Sequence, residues 1–221
     1  MEAGRLQIPR RQRSSRIAFS IGTSPESEYS QVSSLHVVDE RLSTDQSEPR
    51  MAPSTEHQAR LLVAYFSYTG NTKRIAQALS VRLRTSCNVE TVEIIPTRKR
   101  SYLHWLAYSF VPDSEVEIEN HEMDLSPYDI VVLGFPKWTF SCPPLNSFVR
   151  KLRNVARPKF CLFMTSGGFD ERRFLRAIAQ KLTKMGCNVV ECMMVRRKQI
   201  QSEMYSASVD SFAKRVEEHL H

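Results

Sequence analysis

Three hydroxyl side chains and one amide occur within six residues, between an apolar run and a helical pattern. The apolar run covers residues 61–66, and the stretch after it comprises Ser67, Tyr68, Thr69, Gly70, Asn71 and Thr72. A helix follows at once, because Ile75, Ala78, Leu79 and Leu83 recur at helical spacing. The first turn of a helix has free N–H groups and the positive end of its dipole, and both attract an anion. This turn is therefore predicted to bind phosphate, and Gly70 lets the backbone approach the anion closely.

The same turn restricts the kind of phosphate. It lacks the G-x-x-x-x-G-K-[ST] pattern of a nucleoside-triphosphate loop and the G-x-G-x-x-G pattern of a dinucleotide site. No Lys or Arg lies between residues 67 and 72. Hydroxyl and amide donors without a cation suit one terminal monophosphate better than a triphosphate with magnesium. The alternative is an ordinary helix capped by Ser or Thr.

The rest of the chain alternates strands with helices. Apolar runs predict strands at residues 61–66, 88–95, 130–134, 160–164 and 188–195, with helical patterns between them. Such alternation predicts an α/β fold with a doubly wound, five-stranded parallel sheet. Ligands of these folds bind beyond the carboxyl ends of the strands. The residue types of three loops at that edge, 67–72, 135–144 and 165–170, therefore indicate the function.

The second and third of these loops supply aromatic rings and glycines. The loop after the third strand contains Pro136, Lys137, Trp138, Thr139 and Phe140. The loop after the fourth strand contains Thr165, Ser166, Gly167, Gly168 and Phe169. Taken alone, Trp138 reads as a core or rim aromatic and the two glycines as a plain turn.

The S-x-T-G-N-T string at residues 67–72 resembles the FMN-phosphate loop of the flavodoxin family. The other two loops resemble the ring-binding loops of that family, and the resemblance extends over about residues 59–220. It implies the flavodoxin-like strand order 2-1-3-4-5 and FMN as the cofactor. It also implies that Trp138, or as second choice Phe140, contacts the isoalloxazine ring, while the backbone of 165–169 faces its polar edge.

The implied function is electron transfer or oxidoreductase activity, in which FMN supplies the redox chemistry. The partner would be a redox protein or a small-molecule electron acceptor, and no catalytic residue or metal site is expected. One alternative is a membrane-associated FMN enzyme that acts on quinones or protoporphyrinogen-type substrates. Another is a flavin-free interaction module on the same fold.

Two features differ from the small acidic flavodoxins. The chain carries 31 Lys and Arg against 24 Asp and Glu, a net charge of +7. No basic-aromatic nucleic-acid module occurs, so nucleic acid is not expected as a partner. The segment 98–111 begins with three cations and is rich in aromatics, and it predicts a helix with Tyr102, Trp105, Leu106 and Phe110 on one face. That helix either faces the core, or serves as a substrate lid or a peripheral membrane contact.

The first 58 residues are polar and lack sustained periodicity, which predicts a disordered tail before a flavodoxin-like domain at 59–221. Met51 is an alternative start of the chain. The five cysteines are odd in number and form no C-x-x-C motif. We expect reduced thiols and a cytoplasmic protein, with a Cys187–Cys192 redox pair as the alternative. The sequence does not indicate an oligomeric state.

Overall fold

The computed structural model describes residues 58–220. The predictions of a disordered tail and of an alternative start at Met51 concern residues before this range and lie outside the described residues. Within the described residues the central element is a parallel sheet of five strands in the order β2-β1-β4-β6-β7. Its strands are β1 (Arg60–Tyr65), β2 (Asn88–Glu93), β4 (Ile130–Pro136), β6 (Lys159–Ser166) and β7 (Asn188–Arg196).

The strand order confirms the predicted doubly wound sheet, because it reads 2-1-3-4-5 when only these five strands are counted. A separate pair of two-residue strands, β3 (Met123–Asp124) and β5 (Leu152–Arg153), was not predicted from the sequence. A strand of two residues is too short to show the alternating hydrophobic pattern from which strands are predicted. The helices are α1 (Asn71–Leu83), α2 (Tyr102–Ser109), α3 (Pro143–Arg150), α4 (Glu171–Lys184), α5 (Arg197–Gln201) and α6 (Ser206–Glu218).

The two faces of the sheet bury two separate cores. On one face, Leu62 and Ala64 of β1 belong to a cluster that includes Phe148 of α3 and Ile178 of α4. On the other face, alternate residues of β1 pack with α1 and α6, for example through Leu79. The central strands are buried on both sides, which explains their uninterrupted apolar sequences. The sheet is therefore a rigid support for the loops at its carboxyl edge.

The central strands extend further than their apolar runs. β4 continues through Pro136, and β6 continues through Thr165 and Ser166. From the sequence these three residues are assigned to loops, because the apolar runs end before them. In the structure they pair across the two strands, with Pro136 opposite Thr165. The start of each functional loop is therefore fixed by the sheet.

Helices α4 and α6 begin without a side-chain cap. Asp170 occupies the N-cap position of α4 in a left-handed conformation and makes no side-chain capping bond. At α6 the cap position is occupied by Tyr205, and the first turn contains no acid. Gly186 follows the end of α4 with φ at +91°, the conformation that commonly ends a helix.

All five cysteines are free, and Cys192 is the exposed one. Burial is the largest cause of the raised pKa of Cys161, which reaches about 12. Within residues 58–220 no helix is long and apolar enough to cross a bilayer.

Candidate functional site

The loop between β1 and α1 presents unpaired backbone donors at the carboxyl edge of the sheet. Gly70 has a φ of +84° and immediately precedes the helix. The first helical hydrogen bond runs from the Arg74 N–H to the Gly70 carbonyl, at 2.9 Å. The N–H groups of Asn71, Thr72 and Lys73 therefore precede the helical hydrogen-bond ladder and are available to an anion.

The side chains of this loop differ in their surroundings. The Ser67 hydroxyl is buried and has no hydrogen-bond partner among the described residues. The Asn71 amide donates to the Thr69 hydroxyl at 3.1 Å, and both side chains lie at the surface of the loop. A buried hydroxyl without a partner is costly, so Ser67 fits a site that an added polar group completes.

Thr72 connects two of the three loops. Its hydroxyl lies 2.8 Å from the hydroxyl of Thr165 at the end of β6, and both side chains are buried. The third loop joins this contact through its backbone, because the Lys137 N–H donates to the Thr165 carbonyl at 2.7 Å. The helix start and the two ring-side loops are thus held in one hydrogen-bonded arrangement.

Nine of the sixteen residues predicted for cofactor binding line one cleft between these loops. They are Tyr68, Thr69, Asn71, Pro136, Lys137, Trp138, Thr165, Ser166 and Gly167. The enclosed space is about 60 Å³, well below the roughly 300–1,000 Å³ of small-molecule pockets. A flavin would need the walls to separate, and the aromatic residues form those walls.

The aromatic wall is a cluster centred on Trp138. Its ring lies 6.0 Å from Phe66, 6.1 Å from Tyr68 and 5.7 Å from Trp105, edge-on in each case. Trp138 is half-buried, whereas Tyr68 is 39% exposed. Both rings line the cleft, and a ligand that lies between them must first separate them.

Several predicted residues of the ring-side loops lie outside the cleft lining. Thr139 faces α2, where its hydroxyl accepts a bond from Ser109 at 3.0 Å. Phe140 is 63% exposed and packs against Phe110. Phe169 is also exposed, with the Lys137 ammonium 5.8 Å from its ring centre. Of the two aromatic candidates, only Trp138 is placed by the structure at the cleft.

An ion pair holds the end of β6, where the loop with Gly167 and Gly168 begins. The Ser166 hydroxyl donates to the carboxylate of Glu171, and Arg196 contacts the same carboxylate at 3.2 Å. Burial raises the pKa of Glu171, but the hydrogen bonds from Ser166 and Arg196 outweigh it and leave the pKa below its ordinary value. Gly167 and Gly168 project no side chain and have open space where a Cβ would lie.

Two residues of the cleft were missed from the sequence. Tyr102 begins α2 and lies with its ring 6.1 Å from that of Tyr68. Arg197 directly follows β7 and adds a second cation beside Lys137. Arg197 could have been found, since it stands at the carboxyl end of a parallel strand. No carboxylate is among the described residues that line this cleft.

A larger cavity of about 550 Å³ lies beside the cleft, and Tyr68 lines both. Its other lining residues include Ser67, Trp105 and the three cations at 98–100. Glu93 also lines this cavity, and it accepts a bond from Tyr65 at 3.1 Å and from Lys73 at 2.8 Å. Burial, followed by the charge of Glu93, raises the pKa of Tyr65 to about 12, so this phenol stays protonated.

Comparison with known structures supports the fold. A flavoprotein structure from Bacteroides uniformis is 22% identical, with a TM-score of 0.54, and the match covers 66% of this chain and 98% of that one. A Lactobacillus acidophilus flavoprotein in complex with FMN is 17% identical, with a TM-score of 0.51, and the match covers 67% of this chain and 99% of that one.

Sequence comparison identifies the family. An uncharacterised Archaeoglobus fulgidus protein is 33% identical over 139 residues, which is 62% of this chain and 86% of that protein. The sequence model described as Flavodoxin matches residues 60–206, from the first residue of β1 into α6. This match includes all three loops of the cleft, and the chain therefore belongs to the flavodoxin family.

Proposed function

We propose that this protein binds FMN in the cleft between the three loops and transfers electrons through it. The single observation that carries the proposal is the start of α1. There three backbone N–H groups precede the helical ladder, and the nearby Ser67 hydroxyl is buried without a partner. A terminal phosphate supplies the negative charge and the acceptor oxygens that these groups lack.

The opposite end of the cleft suits a flat ring. Trp138 and Tyr68 supply aromatic faces once their edge-on contact opens, and Gly167 leaves room for the ring to approach the backbone. Family membership supports the choice of FMN, as does the fold shared with a flavoprotein that was crystallised with FMN. The cleft has the donor set of a monophosphate and lacks a dinucleotide fingerprint, which favours FMN over FAD.

When bound, FMN would supply one- and two-electron chemistry, and the protein would provide binding and electrostatic tuning. Lys137 and Arg197 place two cations at the cleft, which stabilise negative charge on a reduced ring and attract an anionic electron donor or acceptor. This favours an oxidoreductase that exchanges electrons with a small molecule over an acidic carrier that docks on basic proteins. The free cysteines support a cytoplasmic setting.

The proposal is tested by comparing two ligands that differ only in the phosphate. Thr69→Ala removes a hydroxyl beside the unpaired N–H groups, so it should weaken FMN by about 1.5–3 kcal/mol, or roughly 10–150-fold. Riboflavin, which lacks the phosphate, should lose far less. Binding is measured by titration of each ligand into the flavin-free protein.

Thr183→Ala is the matched control, because Thr183 is an exposed threonine on α4 and does not line the cleft. It should leave both affinities unchanged. If Thr69→Ala weakens FMN and riboflavin equally, the turn before α1 does not hold a phosphate and the proposal fails.

A further inference from the structure

The exposed face of helix α2 is apolar, and the opposite face is buried in the protein. Trp105 and Ser109 point into the protein, whereas Leu103, Ala107, Phe110 and Val111 are exposed. Leu103 and Ala107 lie on one face of the helix, and Phe110 and Val111 follow its last residue in the turn that continues it. Leu103 is 73% exposed, and the Phe110 ring extends the surface to Phe140, 6.0 Å away. We name this surface, made of the four residues and Phe140, the α2 stripe.

This exposure corrects the prediction of a shared core-facing side. Of the four residues expected on that side, Trp105 alone is buried, while Tyr102 and Phe110 are more than half exposed. The burial of Ser109, which bonds to the Leu106 carbonyl and to Thr139, decides the orientation of the helix. The helix is thus anchored by one tryptophan and one serine, and it faces solvent with aliphatic and aromatic groups.

The charge beside the α2 stripe is positive. Arg98 and Lys99 are exposed immediately before the helix, and within the described residues no carboxylate lies within salt-bridge distance of them. Arg100 bonds to His104 at 2.7 Å. Of the acids that follow the helix, Asp113 pairs with Lys181 and Glu115 pairs with Arg150. Glu117 and Glu119 are exposed and line the same cavities as the three cations, and among the described residues they form no ion pair. Three cations therefore lie near two such carboxylates.

We propose that the α2 stripe docks on an anionic lipid bilayer. Its residues carry no side-chain hydrogen-bonding group, whereas a protein interface uses about one hydrogen bond per 100–200 Å². Tyr102 and Tyr108, at the two ends of α2, are amphipathic rings of the kind that occupies membrane–water interfaces. Cations beside an apolar helical face complement anionic headgroups.

Docking would bring the cleft to the membrane surface, because Tyr102 belongs both to α2 and to the cleft lining. Electron acceptors dissolved in the bilayer would then reach the cleft without crossing water. This consequence rests on the proposed function. The docking itself does not, since vesicle binding is measured without flavin.

The test uses the full chain and sedimentation with vesicles of phosphatidylcholine containing 30% phosphatidylglycerol. We expect binding to these vesicles and little binding to pure phosphatidylcholine. Leu103→Ser combined with Phe110→Ser should weaken binding at least tenfold. Arg98→Gln combined with Lys99→Gln should weaken it by about fivefold per cation, and 0.5 M salt should act in the same direction.

Val81→Ser is the matched control, because Val81 is a 66% exposed apolar residue on α1. It should bind vesicles as the parent chain does. An unchanged thermal melt shows that each variant is folded. Light scattering of the protein without vesicles measures whether the α2 stripe is instead the interface of a dimer. Vesicle binding that survives the double serine substitution overturns the proposal. The proposal also fails if the parent chain does not bind anionic vesicles and forms a dimer that the same substitution dissociates.

Discussion

The hydroxyls of Thr72 and Thr165 lie 2.8 Å apart and join the start of α1 to the end of β6. Thr72 belongs to the turn that the sequence predicts to bind phosphate, and its hydroxyl also contacts the end of β6. The two loops lie on strands that are not neighbours, because β4 runs between them. The sheet sets the separation of the two strand ends, and this buried contact ties the start of α1 to the end of β6.

Thr72→Val should lower the free energy of unfolding by about 1–3 kcal/mol, because it leaves the buried Thr165 hydroxyl without this partner. Thr72→Ser keeps a hydroxyl and should recover most of the loss. Urea unfolding measures both variants. If the valine and serine variants are equally stable, the contact does not hold the loops together.

Trp138→Ala should weaken FMN binding by about 1–3 kcal/mol through loss of an aromatic contact. It should also raise the midpoint potential of bound FMN, since an apolar ring disfavours negative charge on the reduced ring. FMN titration and a redox titration measure the two quantities. Trp105 is the only other tryptophan and lies 5.7 Å from Trp138, so tryptophan fluorescence that FMN still quenches in this variant comes from Trp105.

Phe140→Ala is the control for this substitution. Phe140 belongs to the same loop but packs against Phe110 outside the cleft. Its removal should leave affinity, potential and quenching as they are. Equal effects of the two substitutions would show that Trp138 acts through the shape of the loop and does not contact the ring.

Gly134→Ala should destabilise the fold, because a Cβ at this position of β4 would lie 2.0 Å from the ring of Phe163. Phe163 is fully buried, so the clash requires the core to shift, which costs about 1–3 kcal/mol or more. Gly167→Ala has no atom within 4 Å and is the control for stability. Thermal unfolding without flavin compares them, and equal melting temperatures would contradict the packing described.

Glu171→Gln should lower stability at pH 7 and have little effect in acid. The pKa of Glu171 in the folded state lies below its ordinary value of 4.5, so the carboxylate stabilises the fold above that pH. This contribution is lost as the pH falls below about 4.5 and through the folded-state value. Unfolding by urea at pH 7 and near pH 3 should show the difference between variant and parent shrink, whereas a constant difference would exclude an effect of ionisation.

The sequence predicted the sheet and its order because the central strands are apolar throughout and the S-x-T-G-N-T turn marks the first loop. The three loops were predicted because they follow the ends of these apolar strands. The resemblance put Trp138 ahead of Phe140, and the structure places Trp138 at the cleft. The sequence could not show that Thr139 and Phe140 lie outside the lining, because that depends on how the chain turns toward α2. The orientation of α2 was also beyond the sequence, because Ser109, a polar residue, is one of its two buried anchors.

The two cleft residues that the sequence analysis missed are distant in sequence from the three loops. Tyr102 and Arg197 reach the cleft from a helix after β2 and from the end of β7, and neither belongs to a recognisable motif. Their positions follow from the strand order, which places both strand ends at the same edge as the turn between β1 and α1.

The central claim is that the cleft binds one FMN, and the most direct measurement is a titration of the flavin-free protein with FMN, FAD and riboflavin, each followed by absorbance and fluorescence. We predict that FMN binds at one molecule per chain, more tightly than FAD and riboflavin, and that heat-released cofactor from the purified protein chromatographs as FMN. Preference for FAD, or a flavin-free protein that takes up no FMN, would contradict the account.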